Sequence, residues 1–565
     1  MYYLNFMASV ISKMINGKPY YYLAVSARVD GKPRIVEQKY LGSAEDIEAA
    51  MAGATTLPSR TRHLAFGDLA ATWGVIGKLG VIEIVDDVLG ARRGDAGASV
   101  GTYVALAAAN RVVDPCSKLK FADWWPTTAG DHLVKIGAVA LDHRRFWDAM
   151  HVLSPQALTE IERRISARAI TVFGLDISSL ALDMTNFATF IDSTNVRAPI
   201  AQRGKAKQKR TDLRLVGLGL VITRDGGIPL LSHAYPGNLT DVTQFGQMIE
   251  ELTARHRGLG GTDGELTVVF DAGQNSRPNF ELLDRHRLHY VGSLPPSDHR
   301  ALLEIPTTDY RRVVEFDGVT ARETDLDALG LPHRAVLTHS EELHSSQSRG
   351  FDQTLAKTTR QLTSIQDTLT RGKARRGKTK LETAITSICA PRWVNEVLTW
   401  QLTGDTPPDI RLDFQIDTDA RDALEQRIFG KRILITDRTD WTTAEVIAGY
   451  RSQSEAEFGF RQLKDPDVVS FSPMHHFTDN HIRVHVFYCV LALMIAHLMR
   501  RDAARHGLDL SVRELLTQLA RIQETVLIYP GTRGRPKARR VITDMTDLQQ
   551  QLFDIFELNR WAPTS

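Results

Sequence analysis

The order of apolar and polar positions divides the chain into three kinds of segment. Near the N-terminus, residues 20–25 and 34–41 are strand candidates on either side of an Asp30-Gly31 turn, which predicts a β-hairpin. Residues 62–170 carry apolar residues at helical spacing. From about residue 176 the pattern changes to short strands separated by polar turns. The chain is therefore predicted to contain a β-rich unit, a helical region and a strand-containing region.

The strand-containing region predicts a mixed sheet. Three strands, at residues 180–190, 213–223 and 228–235, are followed by a helix (241–256), a buried strand (266–271), a helix (279–287) and a strand (289–293). Three antiparallel strands followed by two helix–strand units is the chain order of a ribonuclease-H-like domain. In that arrangement the first and fourth strands are neighbours.

Residues 296–440 interrupt this order with strand-like pieces around a polar helical stretch at 341–385, so we predict an insertion there. The capping box Thr442-x-x-Glu445 then begins a helix that Asp465-Pro466 ends. The predicted fold class is α/β: a ribonuclease-H-like mixed sheet with an inserted β-containing region, plus N-terminal β and helical regions. The predicted regions are a β-rich unit (1–60), a helical region (61–175), the first part of the core (176–295), the insertion (296–440), the second part of the core (441–520) and a C-terminal tail (521–565). The helical region fits a helix-turn-helix-like DNA reader and a plain packing domain equally well.

Composition narrows the class of protein. With 43% apolar and 24% charged residues, the chain is globular in composition. Cys116, Cys389 and Cys489 lie far apart without a CxxC pair, so neither a disulfide scaffold nor a cysteine zinc site is expected. The longest apolar run, residues 486–496, is too short to span a bilayer. We therefore predict a cytoplasmic protein with no membrane partner.

Charge is concentrated locally although the net charge is only +2. Residues 197–214 hold seven cations and one acid, residues 371–380 hold six cations, and residues 533–540 hold five. A nearly neutral chain with three basic runs indicates a polyanionic partner contacted at several places. Each run alone is also compatible with a solvated loop.

Two acids occupy strand positions that need an explanation. Asp183 lies inside an apolar strand, and Asp271 ends a buried one. An unpaired carboxylate there is costly unless it is hydrogen-bonded, paired or bound to a metal. If the two strands are neighbours, the carboxylates converge, and carboxylate oxygens are ligands suited to Mg²⁺ or Mn²⁺.

A third acid lies on the later helix. Tyr450, Glu457 and Lys464 are spaced by seven, which places them on one helical face, with Gln453 and Arg461 beside them. A carboxylate among cations suits a site for metal and phosphate. For such a stripe taken alone, an exposed salt-bridged face is the commoner explanation.

Taken together, these residues resemble DDE transposases of bacterial insertion sequences, in the subgroup with a Y-x2-R-x3-E-x6-K signature and a β-rich insertion before the Glu. The resemblance covers most of the chain. It is carried by Tyr40-Leu41-Gly42, RVVDPCSK at 111–118, Asp183-Met184-Thr185-Asn186-Phe187, Tyr235-Pro236-Gly237-Asn238, Phe270-Asp271-Ala272-Gly273, YRSQSEAEFGFRQLK at 450–464 and His485-Val486-Phe487.

The resemblance implies that Asp183, Asp271 and Glu457 form a catalytic triad that holds two divalent cations, Mg²⁺ or Mn²⁺. It implies that Tyr450 and Lys464 contact DNA near the cleaved end, and Gln453 and Arg461, beside them on the helix, are further candidate DNA-binding residues. The signature's Arg falls at Gln453, a departure that puts a terminal-phosphate contact in doubt, although Arg451 or Arg461 could replace it. Asp192, in Ile191-Asp192-Ser193-Thr194, is a rival for the first acid.

The same resemblance implies the partners. They are double-stranded DNA, as terminal inverted repeats and target DNA, and a second copy of the chain when assembled on DNA. Candidate DNA-binding residues in the basic run between the first two strands are Arg203, Lys205, Lys207 and Arg210. Within the insertion, Trp393 and Trp400 are candidates to stack on a displaced base, as well as to pack in a core. Residues 533–537 resemble an AT-hook.

The function implied is binding of element ends, cleavage, and transfer of 3′-OH ends to target DNA by two-metal chemistry, in a bacterial cytoplasm on the nucleoid. Two alternatives remain: a structure-selective nuclease with the same core, and a DNA-binding relic without catalysis. The histidines at 475, 476, 481 and 485 suggest a metal site less strongly than helix capping and packing.

Overall fold

The computed structural model describes residues 7–29, 32–55, 57–90, 97–204, 212–258, 264–372, 377–406, 409–529 and 537–563. The N-terminal unit, residues 7–55, is a three-stranded antiparallel sheet with one helix: β1 (Met7–Ile15), β2 (Lys18–Val29), β3 (Lys32–Ser43) and α1 (Ala44–Thr55). The predicted hairpin of β2 and β3 is confirmed. β1 was not predicted from the sequence. Asn16 and Gly17 join it to β2, and both have positive φ, as tight hairpin turns favour.

The predicted run of helices is also confirmed. After β4 (Arg60–Ala65) come α2 (Gly67–Leu79), α3 (Val81–Leu89), α4 (Val100–Val113), α5 (Phe121–Trp124), α6 (His143–His151) and α7 (Pro155–Phe173). Ser99 and Ser154 cap α4 and α7 through their side-chain oxygens.

A nine-stranded sheet forms the centre of the molecule. Its strands are β5 (Ser179–Thr189), β6 (Arg214–Thr223), β7 (Pro229–Pro236), β8 (Thr267–Val269), β9 (His289–Leu294), β10 (Arg311–Arg312), β11 (Val319–Ala328), β12 (Leu331–Ser340) and β15 (Lys431–Thr436). The strands β13 (Leu398–Thr403) and β14 (Arg411–Ile416) form a separate hairpin. The order is β10-β11-β12-β15-β9-β8-β5-β6-β7. β5 is antiparallel to β6 and parallel to β8, so the predicted neighbours are confirmed.

Helices cover both faces of this sheet. The remaining helices up to residue 464 are α8 (Asp241–Gly258), α9 (Arg277–Arg285), α10 (Arg300–Leu303), α11 (Glu341–Thr370), α12 (Lys378–Cys389), α13 (Val394–Val397), α14 (Thr418–Ile428), α15 (Thr443–Arg451) and α16 (Gln453–Lys464). On one face, a Cβ on Gly219 would collide with Met248 of α8, so the glycine permits close packing. On the other face α16 packs on β5 and β6.

The segment predicted as an insertion divides into two parts. β10, β11, β12 and β15 extend the central sheet beyond β9. The helices α11–α14 and the β13–β14 hairpin instead enclose their own apolar core, which includes Phe351, Leu362, Ile385 and Phe429. Strand pairing between distant segments leaves no mark in the local apolar pattern, so the sequence did not separate these parts.

The C-terminal part returns to the helical region. It contains α17 (Asp479–Arg505), α18 (Val512–Ala520), β16 (Gln523–Tyr529), β17 (Lys537–Ile542) and α19 (Asp547–Ile555), and β16 pairs with both β17 and β4. Every residue of α4 from Val100 to Val112 is buried, and α4 packs against α17. α4 is therefore a packing helix.

α17 is also the one helix among the described residues that is long and apolar enough to cross a membrane. Within the structure, 94% of the most apolar 18-residue stretch of α17 is buried. In the sequence, His485 and His497 limit the apolar run to 11 residues. Both histidines are fully buried inside the helix, which makes α17 the central core helix of this part of the fold.

Candidate active site

Two of the predicted acids come from neighbouring strands of the central sheet: Asp183 lies within β5, and Asp271 lies two residues beyond the end of β8. β5 and β8 are parallel, and their last registered pair is Ala181 with Val269. Asp183 and Asp271 each lie two residues further along, so continuing the register places them next to each other on the same face. This is the face on which α16 packs, because Lys464 of α16 reaches Thr185, which also lies on it.

Asp271 is held by two hydroxyl groups. Ser293, at the end of β9, donates from Oγ to Asp271 Oδ1 at 3.1 Å. Tyr450 Oη lies 3.0 Å from Ser293 Oγ and 3.4 Å from Asp271 Oδ1. Burial, with the nearby charge of Asp271, raises the pKa of Tyr450. Tyr450 therefore stays protonated at neutral pH and serves as a hydrogen-bond donor to this cluster.

The helix predicted to carry Tyr450, Glu457 and Lys464 is interrupted. The capping box of Thr442 and Glu445 begins α15 as predicted, but the helix breaks at Ser452 and continues as α16. The three residues therefore do not share one face of a continuous helix. Tyr450 lies on α15 and reaches Asp271, whereas Glu457 and Lys464 lie on α16.

α16 is attached to β5 on both sides of Asp183. Gln453, which is only 6% exposed, donates from Nε2 to the carbonyl oxygen of Leu182 at 3.2 Å. Lys464 donates from Nζ to Thr185 Oγ1 at 2.8 Å. Gln453 and Lys464, both predicted to contact DNA, thus bind the strand that carries Asp183. Glu457, between them on the helix, has an exposed side chain.

A cleft of about 410 Å³ extends from Asp271 and Glu457 to the inserted unit. Asp271, Tyr450, Gln453 and Glu457 line it together with cations and an aromatic residue that come from other elements: Arg392, Trp393, Lys431, Arg432 and Arg451. Of the cations only Arg451 was predicted from the sequence, and Ser293 was not predicted. Ser293 could have been predicted from its position, because it lies near the end of β9, which is parallel to the strand that leads to Asp271.

The two tryptophans of the insertion have different surroundings. Trp393 has a φ of +68° and lines the cleft, with the Arg392 guanidinium 4.3 Å from its ring. Trp400 lies on β13 and packs against the insertion core opposite Phe414. Of the two, Trp393 is the one placed at the candidate site.

Other predicted DNA-binding residues lie apart from the cleft lining. Arg461 is exposed, with its guanidinium 5.8 Å from the Phe458 ring, and Arg203 is exposed after β5. Lys205, Lys207 and Arg210 lie outside the described residues, as do residues 533–536 of the AT-hook-like segment.

The rival acid Asp192 lies in a turn after β5. Its Oδ1 accepts hydrogen bonds from the backbone N–H and the hydroxyl of Thr194, both at 2.7 Å. These two bonds lower the pKa of Asp192. The carboxylate is exposed and serves to close the turn.

Comparison with known proteins decides the family. The transposase DDE domain family matches residues 188–495, more than half of the 565 residues. The chain belongs to this family. Among solved structures, a cryo-EM structure of a piggyBac transposase synaptic complex with hairpin DNA aligns over 82% of this chain and 82% of that chain, with 9% sequence identity and a TM-score of 0.35. No curated protein matches the chain.

The predicted resemblance to DDE transposases is thus confirmed at the level of the family. The residues of this transposase that match the family, 188–495, include Asp192, Asp271 and Glu457, whereas Asp183 lies before residue 188. The comparison therefore does not choose between Asp183 and Asp192.

The donor set of the transposase suits a hard divalent cation. Asp183 and Asp271 are neighbours by register, and Asp271 and Glu457 line one cleft. Carboxylate oxygens are the preferred ligands of Mg²⁺ and Mn²⁺. Among the described residues, however, no three histidine, cysteine or acidic side chains are close enough to hold a metal together. The three carboxylates therefore suit such a cation by the chemistry of their oxygens, although they are not gathered around one point in this structure, where Glu457 is exposed.

Of the four histidines near residue 480, His485 is buried in the core, His476 and His481 are half-buried, and His475 is exposed. His485 Nε2 bonds the carbonyl oxygen of Phe471 at 2.7 Å, and Tyr488 donates to His485 Nδ1. Burial lowers the pKa of His476 to about 3. These contacts agree with the packing interpretation of the sequence.

Proposed function

We propose that this DNA transposase cleaves phosphodiester bonds at the ends of its element and joins the 3′-OH ends to target DNA, with Asp183, Asp271 and Glu457 as its catalytic carboxylates. The observation that supports the proposal is the parallel pairing of β5 with β8, which, continued two residues beyond its last pair, would bring Asp183 next to Asp271 on the face covered by the helix of Glu457. The proposal includes a ribonuclease-H-like fold for the catalytic core. The order β7-β6-β5-β8-β9, antiparallel among β5–β7 and parallel from β5 to β9, supports that fold.

The divalent cation would be held by these three carboxylates, and when bound it lowers the pKa of water and stabilises the leaving 3′ oxygen. The chain's own residues prepare the site. Ser293 and Tyr450 fix the orientation of Asp271 through hydrogen bonds. Gln453 and Lys464 hold the helix of Glu457 against β5.

The cations that line the cleft would bind the phosphates of the DNA. Arg392, Arg432 and Arg451 line the same cleft as Asp271 and Glu457. Phosphate contacts by Arg and Lys supply most of the affinity for DNA and fix its position. Because Arg392 belongs to the insertion and the other two to the sheet and α15, the bound strand would run between them. We also propose that two copies assemble on a pair of element ends.

Cleavage and joining on a labelled duplex with the flanking inverted repeat test this function. With Mg²⁺ we expect nicks at the repeat boundary and joined products, and with EDTA we expect neither, because the carboxylates then hold no cation. Nicks without joining would favour the nuclease alternative. DNA binding without cleavage in either Mg²⁺ or Mn²⁺ would identify the protein as a DNA-binding relic without catalytic activity.

The hydroxyl of Tyr450 can be tested separately. Tyr450→Phe removes the bonds to Ser293 and Asp271 while keeping the ring, so we expect the single-turnover cleavage rate to fall by about fivefold, the equivalent of about 1 kcal/mol. Tyr529→Phe, on β16, is the matched control and should cleave like the wild type. An unchanged rate in Tyr450→Phe would show that Asp271 does not depend on this donor.

A further inference from the structure

The helix that carries Glu457 is also attached on the side that faces away from the cleft. Glu455 comes two residues before Glu457, and at about 100° per residue its side chain leaves α16 in nearly the opposite direction. Its Oε2 accepts a hydrogen bond from Arg500 Nη2 of α17 at 2.6 Å. The two side chains are 31% and 19% exposed. Because salt screens a partly buried pair less than an exposed one, this contact can fix the two helices relative to each other.

A glycine turn lies against this ion pair. The same Arg500 Nη2 donates to the carbonyl oxygen of Gly226 at 3.0 Å, in the turn that joins β6 to β7. His497, nearly one turn earlier on α17, donates from Nδ1 to the carbonyl oxygen of Gly227 at 2.9 Å. Gly227 has a φ of +65°, and a Cβ built on it would lie 3.0 Å from Glu455 Oε2. The turn therefore favours glycine at this position, where α16, α17 and the central sheet meet.

The position of Glu457 depends on how α16 is held. Its side chain is exposed, and among the described residues no hydrogen bond or ion pair holds its carboxylate. On the β5 side, α16 is tied by Gln453 and Lys464. On the other side, it is tied by Glu455 to Arg500. Because a functional group must be held within about 0.5 Å of its working position, a helix fixed on one side only would leave Glu457 free to shift.

We propose that Glu455 is a positioning residue of the active site: paired with Arg500, it sets the place of α16 on the sheet and thereby the place of the Glu457 carboxylate. This inference rests on the proposed function, in which Glu457 helps to hold the divalent cation. Glu455 itself does not line the cleft, so it acts through Glu457 and not by touching the cation or the DNA. Residues that orient metal ligands without touching the metal contribute to its affinity.

The Mn²⁺ affinity of the full-length protein tests the proposal. Titration calorimetry without DNA gives the dissociation constant, and single-turnover cleavage of the inverted-repeat duplex gives the Mn²⁺ concentration for half-maximal rate. Glu455→Gln keeps the size of the side chain and removes its charge, so we expect both values to rise about tenfold. The cleavage rate at saturating Mn²⁺, and the DNA affinity in EDTA, should stay within about twofold of wild type.

A matched control and a double variant separate positioning from a general loss of stability. Glu160→Gln makes the same change on α7, where Glu160 pairs with Arg163 at 2.8 Å and Arg164 at 2.7 Å, and it should leave the Mn²⁺ affinity unchanged. Arg500→Gln should weaken Mn²⁺ binding as Glu455→Gln does. The double variant should be no weaker than Arg500→Gln alone, because the two residues act through one contact.

The outcomes distinguish this inference from the proposed function. Unchanged Mn²⁺ affinity in Glu455→Gln, with a loss of affinity in Glu457→Gln, would overturn the positioning role and leave the proposed function intact. Equal affinity of Glu457→Gln and wild type would show that Glu457 is not a cation ligand, which contradicts the proposed function itself. Equal losses in Glu455→Gln and Glu160→Gln would assign the effect to stability and overturn the positioning role.

Discussion

Asp183→Asn is expected to lower the DNA cleavage rate at least about a thousandfold, whereas Asp192→Asn should leave it within about twofold of wild type. The reason is position on the sheet. Asp183 lies on β5 two residues past its last pair with β8, the strand that leads to Asp271, and under the helix of Glu457, while Asp192 closes an exposed turn with Thr194. Asparagine keeps the size of each side chain and removes only its charge.

Single-turnover cleavage of the inverted-repeat duplex in Mg²⁺ measures both rates, and DNA binding in EDTA should be retained by both variants. The family match, which begins after Asp183, makes the comparison informative. A cleavage defect in Asp192→Asn with a normal rate in Asp183→Asn would transfer the first catalytic carboxylate to Asp192.

Lys118→Met is expected to stabilise the protein at pH 7 by on the order of 3 kcal/mol. Lys118 is 6% exposed, and its Nζ has no hydrogen-bond partner among the described residues. Burial, with the charge of Arg111 nearby, lowers its pKa from 10.5 to about 7. The rings of Tyr488 and Phe146, 4.5 Å and 5.5 Å from Nζ, offset only part of the cost.

The pH dependence of the free energy of unfolding tests this explanation. Between pH 7 and 10.5 the unfolded chain binds the Lys118 proton and the folded chain does not, so wild-type stability should rise with pH across this window. Lys118→Met should lose that rise. Lys120→Met, an exposed lysine two residues away, is the control and should change neither quantity. Denaturant unfolding at pH 7 and pH 9 measures them, and a destabilised Lys118→Met would show that the ammonium has a partner.

The sequence predicted those parts of the site that depend on local pattern. An acid within an apolar strand, as at Asp183, or at the end of one, as at Asp271, is visible in the chain itself. The contacts of Asp271 were not visible, because Ser293 and Tyr450 reach it from β9 and α15, which are distant in sequence.

The later helix shows the same limit. Its amphipathic spacing predicted one helix with Tyr450, Glu457 and Lys464 on one face, but in the structure α15 ends at Arg451, α16 begins at Gln453, and Gln453 is buried against β5. Similarly, β11 and β12 were predicted to be part of an insertion, and only long-range pairing with β15 and β9 reveals them as extensions of the sheet.

The place where the inserted unit joins the sheet has a consequence for how the chain folds and varies. It leaves after β12 and returns before β15, which are hydrogen-bonded neighbours, and Ser340 N–H bonds the carbonyl oxygen of Gly430 at 2.9 Å. Seen from the sheet, residues 341–429 are a long hairpin loop whose two ends already touch. Since the entropy of closing a loop grows only slowly with its length, this module can lengthen, shorten or be exchanged between relatives at little cost to the strand pair.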